Sequence, residues 1–141
     1  ITLNGQSLTA LPTRDAVLPM LAILASARQQ GCPISKLVAA LPPRYTASDR
    51  LKNFPTDMSR QKIAELASST VAIEAMFGDL CGRVRNTDQT DGLRITFENN
   101  EIIHLRPSGN APELRCYNEA SSHERVQILN QACLERLAAW R

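Results

Sequence analysis

Apolar and polar residues alternate through the second half of the chain, and this alternation predicts β-strands. In the run 93–97, Leu93, Ile95 and Phe97 point to one side, whereas Arg94 and Thr96 point to the other. Two further inward-facing pairs follow the same period, Ile103 with Leu105 and Leu114 with Cys116. We therefore expect strands at 82–87, 93–97, 101–106 and 113–118, with turns at Asp91-Gly92 and Asn99-Asn100.

Helical spacing marks the segments around these strands. A helix is predicted over 57–68, with Thr56 or Ser59 as its cap, and a C-terminal helix begins at the capping box Ser121–Glu124. The expected buried stripe of that last helix is Val126, Leu129, Cys133, Leu137 and Trp140. The run 44–53 fits a strand, and the apolar run 70–77 fits neither type clearly. This order of elements predicts an α+β fold, a predominantly antiparallel sheet with helices packed on one face.

The first 43 residues form a separate pattern. Asn4-Gly5 between two short strand-like runs predicts a hairpin, and Pro42-Pro43 predicts a linker. Two helices are predicted between them, one over 16–30 with Thr13 or Asp15 as its cap and one over 35–41. The first helix is apolar nearly all round, so we expect it to be buried on several sides as a remnant of a larger, truncated domain. A ragged start followed by a single strand is the alternative.

Composition narrows the possible partners. The 141 residues are 43% hydrophobic and carry a formal charge of +2, which is too small an excess to favour nucleic acid or a membrane surface. Thirteen of the sixteen basic residues are Arg. Arg binds carboxylates and phosphates as a fork, so this bias favours an anionic ligand, although a GC-rich genome would produce it as well. No signal peptide or apolar run of membrane-spanning length is visible, and we expect a cytoplasmic protein.

Cysteine and histidine do not form a recognisable site. The four cysteines, at 32, 81, 116 and 133, include no C-x-x-C pair and have no histidine at ligand spacing, which predicts reduced thiols and no metal site. His104 falls on the outward face of a strand, and His123 lies inside the predicted capping box. Neither has a Ser or Cys partner in the sequence pattern, so we expect no catalytic residue among them.

The segment Arg106–Pro112 is the strongest candidate for a binding site. It is a short loop between two predicted strands, and Gly109 is expected to allow an unusual bend that turns backbone N–H groups toward one point. Arg106, Ser108 and Asn110 add side-chain donors, and Arg115 on the next strand faces the same side. Such a set of donors, with no carboxylate aimed inward, suits a phosphate dianion. An exposed β-turn of common composition is the alternative interpretation.

This loop, Arg-Pro-Ser-Gly-Asn-Ala-Pro followed by Glu-Leu-Arg-Cys-Tyr, resembles the phosphate-loop signature R-P-S-G-T-E-P of the α-D-phosphohexomutase family. Asn110 stands where the family usually has Thr, and Ala111 stands where it usually has Glu, so the role of that Glu does not carry over. Within the family the loop looks most like that of the phosphomannomutases. The resemblance implies that 1–43 is the end of the third, sugar-binding domain and that 44–141 is the fourth, phosphate-binding domain.

The resemblance also implies a function for the intact enzyme and implies which part of it this chain can perform. The intact enzyme would interconvert mannose 6-phosphate and mannose 1-phosphate, with Mg²⁺ and a hexose 1,6-bisphosphate intermediate, and this domain would bind the hexose phosphate through Arg106, Ser108, Gly109, Asn110 and Arg115. The serine, aspartate-rich and sugar-binding motifs of the other domains are not present in this sequence, so the chain alone is expected to be inactive and to work with those domains. A phosphoglucomutase or a phosphoglucosamine mutase is the alternative, and a nucleic-acid-binding module is a more distant one.

Overall fold

The computed structural model describes residues 2–3, 5–7 and 15–141, and the chain divides into two compact units, Ile1–Pro42 and Pro43–Arg141. The division falls within the double proline. In the first unit, β1 (Thr2–Leu3) and β2 (Gln6–Ser7) form an antiparallel hairpin. The hairpin is followed by α1 (Val17–Gln29) and α2 (Ile34–Ala39).

The start of α1 is stabilised by Asp15, whose carboxylate accepts hydrogen bonds from the backbone N–H groups of Val17 and Leu18 at 2.8 and 3.3 Å. The other predicted cap, Thr13, lies outside the described residues. Of the α1 side chains only Ala27 is buried. The apolar surface that the sequence assigned to a domain interior is therefore largely exposed in this chain.

The second unit is built on one five-stranded antiparallel sheet. Its strands, in chain order, are β3 (Tyr45–Lys52), β4 (Val84–Asp88), β5 (Leu93–Phe97), β6 (Ile102–Pro107) and β7 (Glu113–Ala120). Their order across the sheet is β3-β7-β6-β5-β4. The first strand of the unit therefore pairs with the last, with Arg50 opposite Arg115 and Leu51 opposite Leu114. This long-range pairing closes the sheet around the predicted meander.

Three helices, α3 (Thr56–Ala67), α4 (Thr70–Cys81) and α5 (His123–Ala138), share one core with the sheet. The largest fully buried side chains in that core include Phe54, Phe77, Leu93, Phe97, Leu114 and Leu137. They come from the inward face of the strands and from the buried stripes of the helices. The predicted α+β fold, an antiparallel sheet with its helices on one face, is confirmed.

One segment that the sequence pattern left unassigned is a helix, and the predicted caps of two other helices were wrong. The run 70–77 belongs to a regular helix, which begins where the Ser69 hydroxyl accepts a hydrogen bond from the N–H of Val71 at 3.2 Å. The cap of α5 is Ser122, which accepts from the N–H of Arg125, so Ser121 and Glu124 do not form a capping box. In α3 neither predicted residue caps the helix. The starts of α4 and α5 are each stabilised by a local hydrogen bond from a backbone N–H to a serine hydroxyl, at Ser69 and at Ser122.

The predicted stripe of α5 is buried along Val126, Leu129, Cys133 and Leu137, whereas Trp140 lies beyond the helix and is partly buried. Among the residues that the structure describes, no helix has the length and apolar character needed to cross a membrane. The opposite, open face of the sheet carries mostly polar side chains, including Arg94, His104 and Arg115, at the register positions given by strand pairing.

Candidate functional site

The loop that the sequence singled out joins β6 to β7 and is fixed at both ends by backbone hydrogen bonds. The N–H of Ser108 donates to the carbonyl of Glu113 at 2.9 Å, and the N–H of Phe54 donates to the carbonyl of Pro112 at 2.8 Å. Ser108 is buried, and its hydroxyl oxygen accepts a hydrogen bond from the backbone N–H of Asn110, with 3.4 Å between nitrogen and oxygen. The loop is therefore a defined turn, held by backbone hydrogen bonds to its own end and to the buried residue Phe54.

The glycine that shapes this region is not the expected one. Gly109 has no positive φ angle, and a Cβ added there would meet nothing within 4 Å. Gly92 has φ +83°, and a Cβ there would lie 2.2 Å from the carbonyl oxygen of Leu105. The β4–β5 turn can therefore pack directly against β6 beside Arg106 because residue 92 has no side chain.

An open concavity of about 440 Å³ lies where this turn, the loop and α3 meet. Of the five predicted site residues, Arg106, Ser108 and Gly109 line it, whereas Asn110 and Arg115 lie outside its lining. The segment 89–92 forms one wall. Arg60, on the same face of α3 as Ile63 and Ala64, forms another.

Two charged residues at this concavity were missed by sequence reasoning. The Nε atom of Arg106 lies 3.0 Å from a carboxylate oxygen of Asp91, which contradicts the expectation that no carboxylate points inward. Arg60 has no carboxylate within ion-pair distance among the residues that the structure describes. Both positions are far from the loop in sequence, and no local pattern connects them to it.

Arg115 is the cross-strand partner of Arg106, and the two occupy the same, open face of the sheet. One of its terminal nitrogens lies 3.7 Å from Glu113, and the Nε of Arg50 lies 3.2 Å from the same carboxylate. His104, also on this face, donates from Nε2 to the backbone oxygen of Asp91 at 2.6 Å. These contacts tie the open face to the turn that holds Arg106.

Two buried thiols, Cys81 and Cys133, are poor candidates for a reactive centre. Burial raises the pKa of Cys81 to about 12, and the hydrogen bond with Cys116 raises the pKa of Cys133. These thiols therefore stay protonated at neutral pH. No group of three or more His, Cys, Asp or Glu within residues 2–3, 5–7 and 15–141 is placed to hold a metal ion.

Comparison with known proteins gives consistent matches. The profile of the family described as "Phosphoglucomutase/phosphomannomutase, C-terminal domain" matches residues 49–135. A phosphomannomutase of Sinorhizobium fredii is 46% identical over 126 residues, which are 89% of this chain and 26% of that protein. A phosphomannomutase of Salmonella muenchen is 45% identical over 124 residues, 88% of this chain and 26% of that protein.

A third relative, a probable phosphoglucosamine mutase of Methanosphaera stadtmanae, is 28% identical over 91 residues, 63% of this chain and 20% of its own. The chain thus spans about a quarter of the length of the two more similar relatives. The family profile covers well over half of the chain, including all of the described loop and most of the sheet. The chain therefore belongs to the phosphoglucomutase/phosphomannomutase family, and its residues 49–135 match the C-terminal domain of that family.

Proposed function

We propose that the chain is the C-terminal part of a phosphomannomutase, which interconverts mannose 6-phosphate and mannose 1-phosphate, and that its loop binds the phosphate that is not being transferred. The observation that carries the proposal is the juxtaposition of Arg106, Ser108 and Gly109 around one concavity, on a loop whose sequence resembles the family's phosphate loop. The 46% and 45% identity to two phosphomannomutases supports mannose as the sugar.

Each loop residue has a distinct role in this proposal. The guanidinium of Arg106 supplies charge-assisted donors, and the Ser108 hydroxyl supplies a neutral donor. Gly109 has open space where a Cβ would project, so a phosphate oxygen can approach its backbone closely. We assign Asn110 and Arg115 as outer contacts, because each adjoins a residue of the concavity, Gly109 in sequence and Arg106 in register.

Asp91 and Arg60 set the charge of the concavity. Asp91 uses its carboxylate to hold the Nε of Arg106, which leaves the two terminal nitrogens of that side chain for a ligand. Its negative charge offsets part of the attraction for a phosphate. Arg60 restores the positive balance, since it adds to the concavity a guanidinium that pairs with no carboxylate of the described residues. With Arg60, Arg106 and Asp91 counted together, the site carries one net positive charge. The two guanidinium groups supply its hydrogen-bond donors.

The role of the domain in the reaction is to position the substrate. A phosphate held at one end of the hexose orients the other end toward the reacting groups, and this binding energy is used for orientation. The reacting serine and the Mg²⁺ loop are proposed to lie in the preceding domains, with 1–43 as the end of the third domain and 44–141 as the fourth. The described residues do not fit a Mg²⁺ site, and no step proposed for this chain uses the metal.

The choice of sugar has a second candidate. A probable phosphoglucosamine mutase is 28% identical to this chain over 91 residues, which makes glucosamine the second candidate sugar. A loop that binds only the phosphate is insensitive to the sugar's 2-position. Purified full-length enzyme, assayed with mannose 1-phosphate and glucosamine 1-phosphate, distinguishes the two, and a larger kcat/KM for the glucosamine ester would reverse our assignment.

The binding role is tested by an NMR titration of the chain with mannose 1-phosphate. We expect the backbone amides of Arg106, Ser108 and Gly109 to shift with a millimolar Kd, roughly −4 kcal/mol. Arg106→Ala should abolish these shifts, and Arg83→Ala should preserve them, because Arg83 is an exposed residue outside the concavity. Loop shifts that persist in Arg106→Ala, or none at tens of millimolar ligand, would contradict the proposed role.

A further inference from the structure

A second concavity, of about 510 Å³, lies at the other end of the β5–β6 hairpin, where the chain turns at Asn100. Three arginines line it, Arg44 from the segment before β3, Arg85 from β4 and Arg94 from β5. The remaining polar lining consists of Asn86, Thr96 and Asn100. This site shares no residue with the concavity at the phosphate loop.

A single carboxylate contacts two of the three guanidinium groups. Glu119 on β7 lies 3.4 Å from Arg44 through one oxygen and 3.4 Å from Arg94 through the other. Within residues 15–141 no carboxylate lies within ion-pair distance of Arg85. The cluster therefore keeps two uncompensated positive charges, and both contacts of Glu119 are long for charge-assisted hydrogen bonds.

Neutral acceptors hold two of the arginines in place. The backbone oxygen of Asn100 accepts from Arg44 at 2.8 Å, and its side-chain oxygen accepts from Arg85 at 2.7 Å. Such contacts fix the positions of the guanidinium groups without neutralising their charge. The donors that remain are arranged before any ligand arrives, which lowers the entropy cost of binding.

Two backbone irregularities produce this arrangement. Asn100 has φ +66°, a conformation that Asn adopts more readily than most residues. The register between β4 and β5 shifts between Val84 and Asn86, so Arg85 is the extra residue of a β-bulge. Bulges redirect side chains and are frequent beside binding sites. Both departures from regular geometry therefore contribute to the same cluster.

We propose that Arg44, Arg85 and Arg94 form a second binding site, whose ligand is a doubly charged oxyanion, the phosphate group of a small monoester. Two uncompensated charges match a dianion, and the fork geometry of Arg matches its oxygens. The described residues that line the site include no aromatic ring on which a nucleobase would stack, which favours a small ester over a polynucleotide. The site is independent of the function proposed for the loop.

The test is a titration of the chain with inorganic phosphate at constant ionic strength, followed through the side-chain Nε–H signals of Arg44, Arg85 and Arg94. It is carried out in an Arg106→Ala background, so that binding at the loop does not contribute. We expect saturable shifts in the millimolar range, weakened about tenfold by Arg85→Ala, as removal of one charged hydrogen-bond donor implies. Arg83→Ala removes the same charge two residues away and should leave the affinity unchanged.

Three results would overturn the proposal. The first is that the three arginine signals do not shift at tens of millimolar phosphate. The second is that Arg83→Ala weakens the shifts as much as Arg85→Ala, which would indicate general electrostatic attraction. The third is that a single-stranded oligonucleotide displaces phosphate from the cluster at much lower concentration, which would assign it to nucleic acid. If phosphate shifts the signals of the arginine cluster while mannose 1-phosphate shifts none of the loop amides, the proposal for the cluster holds and the one for the loop fails.

Discussion

Among single residues, Gly92 has the largest influence on the shape of the loop site. It combines a left-handed φ of +83° with a position where a Cβ would lie 2.2 Å from a backbone oxygen of β6. Asp91, the residue before it, thereby reaches Arg106. The sequence pattern predicted this turn but assigned the unusual backbone bend to Gly109, because a glycine inside a proline-flanked loop is a common place for such a bend. Only the position of β6 shows which glycine is constrained.

Replacement of the two glycines should separate their roles. Gly92→Ala is expected to lower the free energy of unfolding by at least about 2 kcal/mol, because the new Cβ strains the backbone and collides with Leu105. Gly109→Ala should leave the unfolding free energy nearly unchanged. Urea denaturation followed by circular dichroism measures both. Equal stability of the two variants would show that the turn relaxes without cost.

An ion pair connects three elements of the second unit. Arg125 at the start of α5 binds the buried Glu101 through two nitrogens, at 2.6 and 2.7 Å, and also donates to the carbonyl of Leu80 in α4 at 2.6 Å. Burial by itself raises the pKa of Glu101, but the hydrogen bonds from Arg125, Cys81 and Asn99 outweigh it, so the net pKa is lowered. The pair therefore helps to fix α5 and α4 to the sheet.

The lowered pKa predicts how stability depends on pH. A carboxylate with a lowered folded pKa stabilises the fold above its unfolded pKa, and this contribution is lost as the pH falls through the folded value. Glu101→Gln should cost about 2 kcal/mol at neutral pH, because Arg125 loses its partner. The difference from the parent chain should shrink in acid. Chemical denaturation at several pH values measures it.

The matched control for this pair is Glu65→Gln, which removes the carboxylate of an exposed pair with Lys62. We expect no measurable change in unfolding free energy there, because exposed pairs contribute little. A Glu101→Gln variant whose deficit stays constant from neutral pH to acid would contradict the assignment of the pH dependence to this carboxylate.

The strands of the sheet and the C-terminal helix were predicted from their period, whereas α4, which has no clear period, was left unassigned. The strands β5, β6 and β7 and the stripe of α5 follow from alternation and helical spacing. In contrast, α4 is apolar on several sides, and a short apolar run fits a buried helix as well as a buried strand. In the structure this run is a helix rather than a strand, and its residues Ile73, Phe77 and Cys81 are buried in the shared core.

The whole chain exposes an apolar surface on its first unit. Met20, Leu21 and Leu24 of α1 are 61%, 57% and 53% exposed, and Val38 of α2 is 61% exposed. Exposed apolar side chains of this kind promote association between protein molecules. The second unit, in contrast, has its own packed core. The behaviour of the chain in solution should therefore depend on α1.

We expect the chain to self-associate as its concentration rises, and the double variant Leu21→Lys with Leu24→Lys to reduce this association. Lys keeps a high helix propensity, so the change acts on surface character. Val71→Lys is the control, since Val71 is an exposed residue of α4, outside the first unit. Sedimentation velocity over a wide range of concentrations measures the effect. A parent chain that remains monomeric throughout would refute this expectation.

The sequence by itself determined the fold class, the strands that line the core and the loop that carries the family resemblance. These properties depend on short-range periods and on turn residues that are neighbours in the chain. The tertiary structure alone decided which charges surround that loop and which arginines gather at Asn100. Arg44 and Asn100 are 56 residues apart, and their contact exists because β3 pairs with β7 across the sheet. Strand pairing brings such residues together, and no local pattern encodes it.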